Sequence, residues 1–279
     1  MKEYLNLYKN ELLNNVIPFW EKYSPDQKYG GFFTCLDRQG EVYDTDKFLW
    51  LQARQVWMFA IMYDQVEGRK EWLNLAKQGA DFLIQHGRDR NGAFYFSLDQ
   101  KGNPLVQPYN IFSDCFAAMA FAALNKVAPN EAYASIARNT FENILQRRDN
   151  PKGIYNKTFP GTRNLKSFAL PMILSNLTLE MEALLDKKMV EALVPTVIHE
   201  VMDVFYQEES GLILENVNLD GSFSNSHEGR LTSPGHAIEA MWFMLDLSQK
   251  YKDEDLCQKA IATGLKTLDY GRDKEYGGI

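Results

Sequence analysis

The strongest constraint on this chain is an internal repeat. Four segments each carry a glycine, a short apolar or aromatic stretch, a polar turn and a second glycine: Gly31-Phe32-Phe33 to Gly40, Gly92-Ala93-Phe94-Tyr95-Phe96 to Gly102, Gly153-Ile154-Tyr155 to Gly161, and Gly211-Leu212-Ile213-Leu214 to Gly221. Their first glycines lie 61, 61 and 58 residues apart. A fixed period of this size marks a stack of like units, each burying its apolar face against its neighbours. Asn91-Gly92 and Asp220-Gly221 are turn signals, so each segment reads as a small β-hairpin.

Between the hairpins the apolar spacing becomes helical, with helices expected at 3–22, 46–65, 69–86, 111–127, 130–147, 165–184, 187–205, 233–250 and 253–269. Start signals stand at Asp44 to Asp46, at Ser113-Asp114 and at Ser233-Pro234. The helix after each hairpin is the more aromatic of its pair, as in Phe48-Leu49-Trp50 with Trp57 and in Trp242-Phe243, which suits an inner wall. The expected class is all-α, an open solenoid or a closed barrel of paired helices, in a single domain over 1–279. Glu275-Tyr276-Gly277-Gly278-Ile279 repeats Lys28-Tyr29-Gly30-Gly31-Phe32, so the sequence reaches into a fifth hairpin. A sixfold barrel needs roughly 100 more residues at the same period.

Charge narrows the function. With 30 Lys+Arg against 37 Asp+Glu the net charge is −7, which excludes a general attraction to nucleic acid or anionic membrane. The longest apolar run, Cys115 to Leu124, is too short to cross a bilayer, and Met1-Lys2-Glu3-Tyr4 does not open a signal peptide, so a cytoplasmic protein is expected. Cys35, Cys115 and Cys257 fit neither a zinc pattern nor a disulfide framework and read as packing thiols. No metal site is expected.

Chemistry concentrates at a few residues. His86 and His199 read as structural or surface histidines, and His227 lies in a polar loop. His236 differs, because Thr232-Ser233-Pro234-Gly235-His236 places it in the first turn of an inner helix, whose dipole favours a neutral imidazole. Glu239 follows on the same face, within reach of the ring or of a polar substrate, and the pair fits general-base chemistry. Arg54, set among Trp50, Gln52 and Trp57, must find acceptors or water; its planar fork suits hydroxyl or carbonyl oxygens. Tyr109 and Asp114 fill the matching stretch of the next repeat, and Trp57 and Trp242 are candidate platforms for a sugar face, although aromatics at helical spacing are more often core. From Arg147 to Lys166, Arg147, Arg148, Lys152, Lys157, Arg163 and Lys166 stand against Asp149 alone. That stretch lacks the P-loop motif and reads either as a solvated loop or as an anion site.

The segments Lys47-Phe48-Leu49-Trp50-Leu51-Gln52-Ala53-Arg54-Gln55-Val56-Trp57 and Ser233-Pro234-Gly235-His236-Ala237-Ile238-Glu239-Ala240-Met241-Trp242-Phe243, with Tyr29-Gly30-Gly31-Phe32, resemble hallmark segments of the N-acylglucosamine 2-epimerase family. The resemblance runs along the whole chain. It implies an (α/α)6 barrel with short hairpins between helix pairs, and interconversion of N-acetylglucosamine and N-acetylmannosamine at C2. Cellobiose 2-epimerases and mannose-type aldose-ketose isomerases share the hallmarks. By resemblance Arg54 supports the enolate, His236 is one of two acid/base histidines, and Glu239 is a polar contact beside it; Trp57, Tyr109, Asp114 and Trp242 remain candidate substrate contacts on the reading of the residues alone. No cofactor is required; ATP is implied as an effector, for which Lys152, Lys157, Arg163 and Lys166 are the candidate residues. The family's second histidine and a further glutamate fall beyond Ile279. The expectation is therefore about three-quarters of a barrel, impaired catalysis, and exposed apolar surface that favours a homodimer. Two readings of other classes compete. A glycoside hydrolase would need paired carboxylates such as Asp114 and Glu239. A non-catalytic sugar- or nucleotide-binding fragment would bind without proton exchange.

Overall fold

A computed structural model describes every residue except Met1, Pro160 and Arg163. It divides into two compact units, 1–156 and 157–279.

In the first unit, α1 (Lys2–Glu11) continues through a π-type turn at 12–16 into α2 (Ile17–Tyr23). The strands β1 (Cys35–Leu36) and β2 (Val42–Asp44) form an antiparallel hairpin. A second sheet joins β3 (Lys47–Phe48), β4 (Ser97–Leu98) and β5 (Pro104–Val106). Its helices are α3 (Leu49–Ile61), α4 (Lys70–His86), α5 (Phe112–Val127) and α6 (Glu131–Arg147). The two helices that follow hairpins, α3 and α5, pack against each other, and each also packs on its successor, α4 or α6. This is the inner and outer pairing expected from the aromatic bias. Every residue of α5 from Ser113 to Leu124 is buried, and its many alanines let neighbouring helices approach closely. Full burial of one such side chain, Phe121, contributes about 1.5–3 kcal/mol.

The second unit repeats the scheme. Strand β6 (Leu165–Ser167) precedes α7 (Ala169–Met181) and α8 (Lys187–His199), followed by β7 (Tyr206–Gln207), β8 (Leu212–Ile213), β9 (Asn216–Asn218), α9 (Pro234–Tyr251) and α10 (Glu254–Gly271). Helix α7 packs on α8 and α9, and α9 on α10. Among the described residues no helix is long and apolar enough to cross a membrane.

The repeat is written in the backbone. All eight marker glycines, from Gly31 to Gly221, have positive φ, a conformation glycine adopts without a Cβ penalty. At the second turn of the first two repeats an aspartate does the same work: Asp37 Oδ1 accepts from the N–H groups of Gln39 and Glu41, and Asp99 Oδ1 from those of Lys101 and Asn103. The end of the chain matches the first marker. Asp273 N–H donates to Gly278 O as Asp26 N–H does to Gly31 O, each at 3.0 Å.

Three expectations change. The segment from Gly153 to Gly161 is not a hairpin; Gly153–Tyr155 is a single 3₁₀ turn, and Ile154, 90% exposed, offers no apolar face to bury in a sheet. The strand of that repeat is β6, paired with β9, so α7 begins at Ala169 rather than 165. Likewise α3 begins after β3 without a side-chain cap. Its Leu49 N–H donates to Phe96 O, and Phe168 N–H donates to Glu215 O in the second unit. Three outer helices instead use side-chain caps, with Asn130, Asp186 and Asp253 each accepting a first-turn N–H.

Candidate active site

In the second unit the chain reaches α9 through an extended Ser233, and Pro234 opens the helix, its fixed φ suiting the first position. His236 stands in that first turn. Its Nδ1 lies 3.0 Å from Oε1 of Glu215, with 46% of the imidazole side chain exposed against 19% of the carboxylate side chain. Glu215 is fixed through its own backbone, whose N–H donates to Leu231 O and whose C=O accepts from Phe168 N–H, both at 2.9 Å. Glu239 is half-buried one turn along α9, and Trp242, 55% exposed, has its ring centroid 5.4 Å from that of Phe243.

The sequence pointed to Glu239 as the neighbour of His236; the hydrogen bond seen at the ring goes to Glu215, which sequence reasoning missed. A usable signal existed in the repeat. Glu215 follows Gly211 by four residues, as Phe96 follows Gly92, and a carboxylate in the place of an aromatic ring marks a departure from the pattern.

In the first unit Arg54 projects from the exposed side of α3, its guanidinium 4.5 Å from the Phe116 ring centroid and 5.8 Å from that of Trp50. Stacking of this kind holds the plane of the fork while its N–H groups point outward along the edges. Trp57 is half-buried, and its indole N–H is a buried donor with no hydrogen-bond acceptor. Tyr109 is half-buried with its ring 4.9 Å from Phe96.

Asp114 holds a different place from the substrate contact expected of it. It is fully buried; Oδ1 accepts from Phe94 N–H at 2.9 Å, and Oδ2 pairs with Arg147 at 3.0 Å. Burial pushes its carboxyl up to about 6, against the pull of Phe94 N–H and Arg147. Its task is to tie the post-glycine strand to α5. Arg147, counted in the basic stretch, therefore faces inward to Asp114 and to Pro151 O. Of the effector candidates, Lys152 is exposed in the first unit and Lys157 and Lys166 in the second, where Asp220 lies close enough to Lys166 to be held below the usual carboxylate range by Ser222 hydrogen bonds and by that charge. Arg163 lies outside the described residues. Among the described residues no cluster of three His, Cys, Asp or Glu side chains is placed to hold a metal ion.

Residues 31–279 match the family model described as N-acylglucosamine 2-epimerase. The chain belongs to the N-acylglucosamine 2-epimerase family. It is 36% identical to the rat protein named N-acylglucosamine 2-epimerase, over all of this chain and 69% of that one. The bovine protein of the same name is 35% identical, over all of this chain and 68% of its own length. The solved cellobiose 2-epimerase of Bacillus thermoamylovorans superposes with a TM-score of 0.83 at 19% identity, covering 99% of this chain and 74% of that one. The (α/α)6 barrel that the family resemblance implies is the fold of that neighbour. Membership in the family makes this chain a sugar epimerase or isomerase.

Proposed function

We propose that the chain interconverts N-acetylglucosamine and N-acetylmannosamine by removing and returning the proton at C2. The observation that carries this reading is the half-exposed His236 imidazole in the first turn of α9, held through Nδ1 and able to present its other nitrogen. In the open-chain sugar the C2 hydrogen is acidified by the adjacent carbonyl. His236 takes that proton, the C–H electron pair forms the C1=C2 bond as the carbonyl π pair moves onto oxygen, and stabilising the enolate oxygen is the role that the family resemblance implies for Arg54. A second acid on the opposite face of C2 delivers a proton as the enolate oxygen re-forms the carbonyl, which gives the epimer. Glu239 contacts sugar hydroxyls, and Trp57, Tyr109 and Trp242 contact the sugar as ring platforms and donors. Asp114 is left out of this set, because both its oxygens are occupied and it has no exposed surface.

The choice of an N-acylated hexosamine over cellobiose or mannose is supported by the names of the rat and bovine relatives. A glycoside hydrolase is disfavoured by the buried Asp114, which cannot serve as one of two carboxylates flanking a scissile bond. An ATP effector is supported by the exposed Lys152 in the first unit and Lys157 and Lys166 in the second. A cytoplasmic setting is supported by the three thiols, and self-association by the exposed Ile261, Leu265 and Tyr270 on α10.

The test is incubation with N-acetylmannosamine in D2O, followed by NMR. Deuterium at C2 together with N-acetylglucosamine, both lost in His236→Ala, is the expected result. A ketose product would turn the reading to an isomerase. Exchange without epimer would mean one proton acceptor working from one face, and saturable binding without exchange would leave a binding protein.

A further inference from the structure

We infer that Glu215 is the positioning residue for His236: it fixes the imidazole as the Nδ1–H tautomer, leaving the Nε2 lone pair to take the C2 proton. The inference rests on the epimerase reading for its catalytic consequence, but its structural content can be tested without it. An ionised carboxylate offers only acceptors, so a 3.0 Å contact between Glu215 Oε1 and Nδ1 requires a proton on Nδ1. In a neutral ring the other nitrogen is then the unprotonated one. When Nε2 accepts the substrate proton, the ring becomes an imidazolium with both N–H groups filled, and the adjacent carboxylate stabilises the charge that has formed. Loss of the Nε2 proton, to solvent after a forward turnover or to carbon in the reverse reaction, restores the starting tautomer. The Nδ1 proton is never transferred.

Two independent features single out this carboxylate. First, its backbone is clamped at both ends, to Leu231 O and Phe168 N–H, so the side chain starts from a fixed point rather than from a free loop. Second, an internal comparison shows that the fold does not need a carboxylate there. The Phe48↔Ser97 and Lys47↔Leu98 pairings recur as Ser167↔Asn216 and Lys166↔Val217, every residue shifted by 119 positions. The same shift carries the Leu49 N–H to Phe96 O bond onto Phe168 N–H to Glu215 O. Phe96 and Glu215 therefore occupy the same niche. In the earlier repeat that niche holds an apolar ring packed on Phe48 and Tyr109, with centroids at 5.7 and 4.9 Å. In the later repeat the ring is replaced by a half-buried acid whose one described side-chain hydrogen bond goes to His236. A half-buried carboxylate that the scaffold does not require, aimed at the imidazole, is the arrangement by which an outer carboxylate orients a working histidine.

The tautomer is read from the 15N shifts of the His236 ring nitrogens at a pH where the ring is neutral. The expected result is a protonated Nδ1 and an unprotonated Nε2 in the wild type, retained in Glu215→Gln, whose amide oxygen still accepts, and lost in Glu215→Leu. In turnover, Glu215→Leu is expected to lower kcat for C2 exchange about 10- to 100-fold with KM little changed, and Glu215→Gln to recover part of the loss. A wild-type ring protonated at Nε2, a tautomer indifferent to Glu215→Leu, or an unchanged kcat in a folded Glu215→Leu protein would each overturn the assignment. If the wild type shows no exchange at all, the proposed function fails, while the ring shifts still decide whether Glu215 sets the tautomer.

Discussion

Replacing Lys47 by Met should unfold the first unit more readily than any surface change, because this lysine is completely buried. Its Nζ uses all three protons, donating to Asp26 Oδ2 at 2.8 Å, Gly30 O at 2.6 Å and Gln100 O at 2.9 Å. It thereby joins the first glycine turn, the strand before α3 and the hairpin turn of the next repeat. Burial lowers the Lys47 ammonium from its ordinary value while Asp26 pulls it back. For Asp26 burial acts upward, but Lys47 and the N–H groups of Tyr29 and Lys28 leave the carboxyl below its ordinary value. A carboxylate depressed in the folded state stabilises above its unfolded pKa and loses that contribution as pH falls through the folded one. The wild-type pair is thus intact at neutral pH and fades only in strong acid.

Removing one partner of a buried pair costs about 3–5 kcal/mol. Asp26 would keep three neutral donors, Lys28 N–H, Tyr29 N–H and Gln100 Nε2, which favours the lower end. The carbonyls of Gly30 and Gln100 would each lose a donor, adding about 1 kcal/mol or more. The expected loss is about 4 kcal/mol, or a fall in Tm of roughly 8–16 °C for a unit of this size. Urea unfolding followed by circular dichroism measures it. Asp26→Asn combined with Lys47→Met should be more stable than Lys47→Met alone by about 2 kcal/mol, because no charge is left buried without a partner. The Lys47→Met penalty should also shrink in acid, where Asp26 can protonate. A loss below about 1 kcal/mol, or simple addition of the two single effects, would refute the view of this pair as a buried staple.

Asp114, raised to about 6 in the folded protein from an ordinary 3.8, binds its proton more tightly when folded. Stability is therefore greater below about pH 4 and is lost between about pH 4 and 6, by about 3 kcal/mol; Asp114→Asn should flatten that stretch of a pH series of urea melts. Gly102→Ala should cost more than Gly92→Ala: both have positive φ, but a Cβ at Gly102 meets the His86 ring at 2.4 Å, whereas Gly92 faces open space. Thermal melts of the two variants should differ by about 1–2 kcal/mol, and equal costs would remove the steric part of the argument. Arg54→Lys keeps the charge but loses the planar fork stacked on Phe116, and kcat for C2 exchange should fall about 100-fold without a change in Tm.

What the sequence could and could not reveal follows from the kind of information each feature carries. Paired helices were legible because helical periodicity and turn glycines are local, and the glycine markers indeed adopt positive φ. The start of α7 was misplaced because β6 is defined by a strand some fifty residues away, which no local pattern records. Lys47 gave no sign of burial, since a lysine beside an aspartate-rich turn looks like surface. Asp114 and Glu215 show how polar residues in a repeat can be sorted. Asp114 accepts Phe94 N–H, and Gln52, 62 residues earlier, accepts Phe32 N–H in the same way. A polar group that recurs with the same backbone partner in successive repeats is holding the scaffold, which is why Asp114 is lost as a sugar contact. Glu215 does the reverse: its backbone repeats the bond made by Phe96, but its side chain abandons the apolar ring for a carboxylate that reaches His236. The scaffold task is already done by the backbone there, so the change of side chain has no structural purpose to serve, and the histidine it touches is where its purpose must be sought.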